Sequence, residues 1–486
     1  MNHPSNRMNH PPDRLYLLFA LLISGGCFYL ALKLSNPQWW ALWLAPVPVL
    51  VLSLRMRPAQ AFGLAFAARL IGQLSWYGYL SSLLPLPVTL VFTTIFPLIF
   101  ALIILLSRKL ILRFAARPML AALVYPILYT SVEMLWFLLS RDGTFASIAY
   151  TQYGCPPLIQ VASLTGLTGI SFWVSFVAAT ISLSIHFRQR REPFRKMLIT
   201  ACAALLLVLG FGWLRLSDQP AGETESVGMI AYPYKTPLNK YLDGISTLAA
   251  QGAKIVLLPE KVIDVRDSTA AFVRQALSDT ARRLGVTIVA GIARVYPDRL
   301  KCEAWVFTPD GRQPLAYQKV NLFEGETIEG FTPGKDPGFF DLRASHFGVA
   351  ICKDLDFQRY MLRYGGQHMA VLWVPAWDFN RDGWLHSRMA MMRAIELGCP
   401  LVRNAREGRM TISDSRGRVL SEASTEGDGP NSLIAPVTLE ASPTLYQQWG
   451  DWFGWLNLIA LAALLLSLFS RPGRSLLPKH RQDLRQ

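Results

Sequence analysis

Hydrophobic positions fall in two regimes along this chain of 486 residues. As far as about residue 215 they run in long blocks, and a helix of about 20 apolar residues is what crosses the hydrocarbon core of a bilayer. The blocks are Leu15–Leu34, Trp39–Leu54, Ala61–Leu84, Val88–Leu106, Met119–Leu139, Gly169–Phe187 and Met197–Leu214, with an isolated one at Trp452–Phe469. Trp39–Leu54 is short and holds Pro46 and Pro48, and Ala61–Leu84 carries Arg69 and Gln73. The first block is long and has no clear small-residue cleavage site, so it reads as a retained helix rather than a signal peptide. The pattern predicts a bundle of about eight transmembrane helices.

Between about 220 and 445 the apolar runs shrink to strand length. "ESVGMIAY", "KIVLLPE", "VTIVAGIARV", "HFGVAIC", "MAVLWVPA", "PLVRNA" and "NSLIAPV" read as strands. "CEAWVFTPDGRQPLAYQK" reads as a hairpin turned at Asp310-Gly311, and "GRMTISDSRGRVL" as one turned at Ser415-Arg416-Gly417. Helical spacing appears over Thr269–Leu284 and His386–Leu397, the latter stopped by Gly398 and Pro400. Strands alternating with helices predict an α/β domain. The expected organisation is a membrane domain over 1–219 with seven spans, an α/β domain over 220–445, and a last span with a basic tail over 446–486.

Charge refines this picture. Hydrophobic residues make up 52% and charged residues 17%, with a formal net charge of +15 and a mean hydropathy of +0.28. Such basicity ordinarily raises nucleic-acid binding. Here the basic residues sit in alternate connections: Arg7 and Arg14; Arg55 and Arg57; Arg108, Lys109, Arg113 and Arg117; Arg188, Arg190, Arg191, Arg195 and Lys196; and Arg471, Arg474, Lys479, Arg481 and Arg485. Short basic loops stay in the cytoplasm. Both termini are then inside and the α/β domain outside, in the periplasm if the cell is Gram-negative. The charge is an orientation signal, and no nucleic-acid partner is expected. Arg69 and Glu133 lie inside predicted spans, where charge is expensive. One acid and one base are too few for an ion pathway, so they are expected to pair with each other or with neighbours such as Gln73.

Three reactive residues follow predicted strands: Glu260 after "IVLLP", Lys319 after "PLAYQ" and Cys352 after "FGVAI". Ligand sites of α/β sheets gather at the carboxyl ends of strands. A thiol can attack a carbonyl once deprotonated, a carboxylate can take and return its proton, and an ammonium can steady the oxyanion. The other cysteines have no such setting. Cys302 opens a hairpin strand, Cys399 ends a helix, and Cys27, Cys155 and Cys202 are read as packing. No Cys/His pair has zinc-like spacing, so neither a metal nor another cofactor is expected, and His346 and His386 read as surface or core residues.

The ordered set Glu260, Lys319, Cys352, together with "LLPE", "YQK", "GVAICKDLDF" and "RMAMMRAIELGCPLVRNAREG", resembles the nitrilase (carbon–nitrogen hydrolase) superfamily. That resemblance implies a four-layer α-β-β-α sandwich with a Glu-Lys-Cys triad. The placement of the domain before the last of eight spans, with "FTPG" and "AYTQYGCPPLIQVASLTGLTGISFWV", is similar to the apolipoprotein N-acyltransferase branch. The branch implies a bacterial inner-membrane enzyme with phospholipid as acyl donor and a lipoprotein's lipid-modified N-terminal cysteine as acceptor, expected here as a monomer. It implies Cys352 as thioester nucleophile, Glu260 as general base, Lys319 as oxyanion support, and a second glutamate orienting Lys319, either Glu326 or its rival Glu324. The chain departs from the branch in three places. Only Val320–Glu329 stand between Lys319 and "GFTPG", Lys353-Asp354 follow the nucleophile where Tyr-Glu is usual, and "AYPYKTPLNKYL" lacks a tryptophan, for which Tyr232, Tyr234 or Tyr241 could substitute. The short loop keeps a second reading open, a membrane-tethered amidase acting on a small amide. A purely binding scaffold is a third, opposed by the intact triad.

Overall fold

A computed structural model of the chain describes residues 14–187, 191–219, 221–233, 236–427 and 429–469. Arg7, Arg188, Arg190, Tyr234 and the basic run from Arg471 onward lie outside the described residues.

The N-terminal half is helical: α1 (Arg14–Ala31), α2 (Trp39–Leu44), α3 (Pro46–Ser53), α4 (Pro58–Gln73), α5 (Tyr77–Leu83), α6 (Leu86–Arg113), α7 (Pro118–Leu139), the short α8 (Pro156–Ile159) and α9 (Ala162–Thr165), α10 (Leu167–His186) and α11 (Arg191–Ser217). Among the described residues five helices are long and apolar enough to cross a membrane, namely α1, α6, α7, α10 and Pro193–Ser217 of α11. The α2–α3 pair and a C-terminal helix, Trp452–Ser467, are apolar but shorter. Together these make seven among the described residues, so the expected figure of about eight also needs Ala61–Leu84. Ala61–Leu84 is not one helix as expected. It breaks after Gln73 into a 3-10 turn over Leu74–Trp76 and then α5. The break is held from outside the helix, since Trp76 Nε1 (2.5 Å) and Ser75 Oγ (3.2 Å) donate to the Leu32 carbonyl. Arg69 bonds Gln73 (2.7 Å), while Glu133 accepts from Ser147 Oγ and Ile148 N, both at 3.0 Å.

The α/β half contains β1 (Thr224–Ala231), α12 (Leu238–Ala250), β2 (Ile255–Leu257), β3 (Ile263–Arg266), α13 (Asp267–Leu284), β4 (Thr287–Val295), β5 (Leu300–Phe307), β6 (Leu315–Gln318), α14 (Glu324–Glu329), β7 (Gly338–Leu342), β8 (Ser345–Val349), α15 (Gln358–Met361), β9 (Val371–Trp377), α16 (Gly383–Leu397), β10 (Leu401–Arg406), β11 (Arg409–Ser413), β12 (Val419–Ser424) and β13 (Asn431–Thr438). Two further helices, α17 (Leu445–Trp449) and α18 (Trp452–Ser467), follow. One sheet runs β13-β1-β2-β4-β5-β6, with β3 also on β4, and the other runs β12-β11-β10-β9-β8-β7. Apolar faces of both, including Met229, Leu257 and Val289 against Phe347, Trp373 and Ile412, close a core between them. Helices α12 and α13 cover the first sheet and α15 and α16 the second. This is the α-β-β-α arrangement. In each sheet the inner strands β1, β2, β4 and β8, β9, β10 are parallel, so their carboxyl ends share one edge.

Helix α16 has two partners, which explains why it is buried almost all round. Ala390, Ala394 and Leu397 pack on the second sheet, while Leu385, Met391, Met392 and Ile395 join the core of the helical half. Polar ties reinforce the junction: Arg393 donates to Thr144 Oγ1 (2.8 Å) and Tyr150 Oη (3.2 Å), and Tyr79 Oη donates to Asp382 (2.8 Å).

Candidate active site

Each expected residue stands where a strand ends. Strand β2 stops at Leu257, and Pro259, which has no N–H to continue a ladder, turns the chain so that Glu260 N donates to Ala376 O of the opposite sheet (3.2 Å). The turn is possible because Gly291 of β4 lies against it, where a Cβ would meet Pro259 O at 2.0 Å. Lys319 follows β6, its N–H on Cys302 O (2.9 Å) and its carbonyl accepting from Gly334 N (2.7 Å). Both side chains are buried, and Lys319 Nζ donates to Glu260 Oε1 (2.8 Å) and to Glu326 Oε2 (2.7 Å). Glu326 sits in the first turn of α14, and its Oε2 also accepts from Phe323 N (2.9 Å). Among the described residues Glu324 pairs with the exposed Arg141, at 3.8 Å. Of the two glutamates, Glu326 is the one that reaches Lys319.

The electrostatics follow from this clustering. Burial pulls the Lys319 ammonium down, but the carboxylates of Glu260 and Glu326 more than offset it and hold it well above its ordinary value. Burial likewise pushes Glu326 up, and the ammonium groups of Lys319 and Lys261 outweigh it, so this carboxyl stays well below the usual range.

Cys352 begins a 3-10 helix immediately beyond β8, with φ of +43°, a left-handed conformation that is unfavourable for a residue with a side chain. Strain of this kind clusters at functional sites. Its Sγ lies 3.5 Å from Trp377 O, and the residue as a whole is half-buried. Burial and then the Glu260 charge push the thiol up, Lys319 and Arg403 opposing them, so the resting group is a thiol rather than a preformed thiolate. Arg403 itself is buried and held by Asp378, at 2.8 and 2.5 Å.

Several residues were not foreseen. Asp354, noted only as a departure, takes Val320 N (3.1 Å) and Asn321 N (2.8 Å) on Oδ1, and Ile351 N (3.0 Å) and Tyr317 Oη (2.6 Å) on Oδ2. It ties the nucleophile turn to the segment after Lys319. Asn404, a polar residue inside the buried strand β10, donates to Ile230 O (3.1 Å) and Leu257 O (2.6 Å) and so joins the two sheets beside Glu260. The reading of Cys302 as lacking acid–base surroundings is corrected. Its pairing opposite Ala293 turns the side chain inward, and its Sγ lies 3.3 Å from Glu260 Oε1. Proximity across the sheet, invisible in sequence spacing, put it there.

The side-chain donors of Glu260, Cys302 and Glu326 lie within 4.8 Å of one another, a grouping that could hold a cation. The ammonium of Lys319 already bonds both carboxylates, and burial keeps the Cys302 thiol well above its ordinary value and hence protonated. The donor set fits a balanced proton-transfer cluster better than a metal centre.

Comparison with known proteins agrees with this geometry. Residues 227–444 match the carbon–nitrogen hydrolase family, and residues 24–180 match the apolipoprotein N-acyltransferase N-terminal domain. The chain is 26% identical to the apolipoprotein N-acyltransferase of Geobacter metallireducens over 95% of its own length and 96% of the relative's. It is 25% identical to that of Pseudomonas syringae pv. tomato over 90% and 96%. Among solved structures, an amidase from Nesterenkonia sp. aligns at 19% identity with a TM-score of 0.41, covering 50% of this chain and 99% of that one. Saccharomyces cerevisiae Nit3, of branch 10 of the nitrilase superfamily, aligns at 21% with a TM-score of 0.39, over 45% and 91%. With an acyltransferase-type helical half and a carbon–nitrogen hydrolase half in one chain, the protein belongs to the apolipoprotein N-acyltransferase family, a branch of the nitrilase superfamily.

Proposed function

We propose that this enzyme moves an acyl chain from a phospholipid, through a thioester on Cys352, to the α-amine of a lipoprotein's N-terminal lipid-modified cysteine. The observation that carries the reading is the Glu260–Lys319–Glu326 cluster beside Cys352, on a domain packed against an apolar helical bundle. In the first step Glu260 takes the Cys352 proton as Sγ attacks the donor ester carbonyl. The ammonium of Lys319 stabilises the developing oxyanion. Collapse expels the lysophospholipid alkoxide, which recovers the proton from Glu260. In the second step the acceptor amine attacks the thioester, Glu260 takes a proton from nitrogen, and Cys352 leaves as thiol.

The proposed organisation is a membrane domain over 1–219, a catalytic domain over 220–445 and a C-terminal anchor over 446–486, with eight crossings, in the inner membrane of a Gram-negative cell. Placing the catalytic domain on the periplasmic side is supported by the two ends of the bundle. Arg108 bonds the carbonyls of Ser53 (2.8 Å) and Met56 (3.0 Å), gathering the basic connections at one end. The α/β half docks at the other, through Tyr79 and Thr144. A monomer, with phospholipid as acyl donor and lipoprotein as acceptor, completes the proposal.

The test is purified full-length protein in detergent given phospholipid alone. An acyl-sized mass increase on Cys352 with lysophospholipid release, discharged by an acceptor lipopeptide, is expected; this is ping-pong behaviour. An unmodified Cys352 alongside ammonia release from a soluble amide would transfer the assignment to the amidase, which the short loop Val320–Glu329 favours.

A further inference from the structure

The residue directly after the expected general base is built into the site in an unexpected way. Lys261 has φ of +52°, left-handed and therefore unfavourable for a residue with a Cβ. Glycine or asparagine would fit such a turn with less strain. The conformation folds the lysine side chain back over the site. Its Nζ donates to Glu326 Oε1 at 2.6 Å and lies 5.0 Å from the centres of both the Phe331 and the Trp377 rings. An ammonium between two aromatic faces is held electrostatically as well as by its hydrogen bond.

Glu326 is thus clamped by two lysines, one on each oxygen. Oε1 belongs to Lys261, and Oε2 to Lys319 and Phe323 N. Charge explains the need. Glu260, Glu326 and Lys319 alone would leave one uncompensated negative charge in a buried cluster, which is costly. Lys261 cancels it. The same side chain borders the nucleophile's surroundings, since Trp377 carries the carbonyl that faces Cys352 Sγ.

We infer that Lys261 is a positioning residue for acyl transfer, neutralising and orienting Glu326 so that Lys319 stays aimed between Glu260 and the nucleophile. Groups facing its ammonium are Glu260 before it, Glu326 from α14, Lys319 after β6 and Cys302 from β5, with Arg406 on Trp377. Removing this positive charge makes the Glu326 carboxylate easier to protonate and the Cys352 thiol harder to ionise, and both changes move the acid limb of reactivity to higher pH.

The experiment measures, on full-length protein in detergent across pH 5–9 (a range bracketing neutral pH), the rate of Cys352 alkylation by iodoacetamide, mapped by peptide mass, and the rate of Cys352 acylation by phospholipid. For Lys261→Gln, which keeps a hydrogen-bond donor but no charge, and for Lys261→Met, the acid limb of both rates is expected to rise by about one pH unit, the usual effect of a lost neighbouring charge. Lys261→Arg is expected to keep the limb near its original position. An unchanged pH profile in Lys261→Gln overturns the inference. A pH-independent loss that Lys261→Arg shares also overturns it, since that marks a merely structural side chain. The inference rests on the acyltransferase reading only for its chemical step. Alkylation that follows the predicted profile while phospholipid never acylates Cys352 would overturn the acyl-transfer reading and leave Lys261 as positioning residue of the same cluster.

Discussion

At the scale of single residues, the cysteines divide by their neighbours. Cys352→Ala and Cys352→Ser are expected to abolish transfer, because neither variant supplies a thiolate for a covalent route. Lipopeptide acylation measured with purified variants checks this. Cys399, buried at the end of α16 in an apolar cluster with Ala394, Leu397 and Leu401, is expected to tolerate alanine with near-normal turnover. Cys302→Ala is expected to fall between, slowing acylation several-fold, since its Sγ–H contact at 3.3 Å is lost from the Glu260 oxygen that also serves Lys319. Glu260→Gln removes the proton acceptor from a thiol that burial holds protonated, so acylation should drop by about 10²–10⁴-fold, the ordinary worth of a general base. Glu326 gives a pH signature in stability. Its folded carboxyl lies below the unfolded value of roughly 4.3. Its contribution is therefore fully present above that pH and lost as pH falls through the folded value. Thermal melting followed downward from pH 5 should show this loss in the parent and less of it in Glu326→Gln.

At the scale of elements, the nucleophile turn depends on the Asp354 carboxylate, which receives five donors from three segments. Asp354→Ala leaves buried N–H groups unpaired, at a cost on the order of 1–3 kcal/mol. A lower melting temperature is expected, together with an acylation rate reduced even at temperatures where the variant is folded, because Lys319 and Cys352 lose their shared tether. Most strands were legible because burial on both faces writes continuous apolar runs, as in "KIVLLPE" and "HFGVAIC". Strands β3 and β7 were not, since their alternating or mixed residues look like loop, and α12 has an apolar stripe that strand-like flanks obscured. The triad was readable because each member follows a strand end. Cys302, Lys261 and Asn404 were not, because only strand pairing and sheet packing bring Cys302 and Asn404 to the Glu260 turn, and only a left-handed turn brings the Lys261 ammonium to Glu326. Gly398 was read correctly as a helix stop, with φ of +58° at the end of α16.

At the scale of the whole molecule, the site is anchored to the helical half through the loop after α7. Gly143 has φ of +53°, and a Cβ there would meet Asp356 O at 2.3 Å. Thr144 donates to that same carbonyl from both N and Oγ1 at 2.9 Å, and Lys353 reaches Asp142 at 2.8 Å. The loop thus braces the segment that begins at the nucleophile. Gly143→Ala forces this contact apart from a residue that touches no reacting group. Acylation of Cys352 is expected to fall by at least about tenfold, the effect that small misplacements of reacting groups carry, while iodoacetamide still reaches the thiol. An unchanged acylation rate would show that docking is dispensable for the chemistry. The same junction bears on orientation, because the docked end lies opposite the basic end where Arg108 caps the Ser53 and Met56 carbonyls. If short basic loops remain inside, a reporter enzyme fused near residue 430 is expected to be active only in its exported form. A fusion there that is active only in the cytoplasm would reverse the proposed topology. It would also leave the acceptor amine of an exported lipoprotein on the wrong side of the bilayer from Cys352, so the outcome tests the reaction as well as the fold.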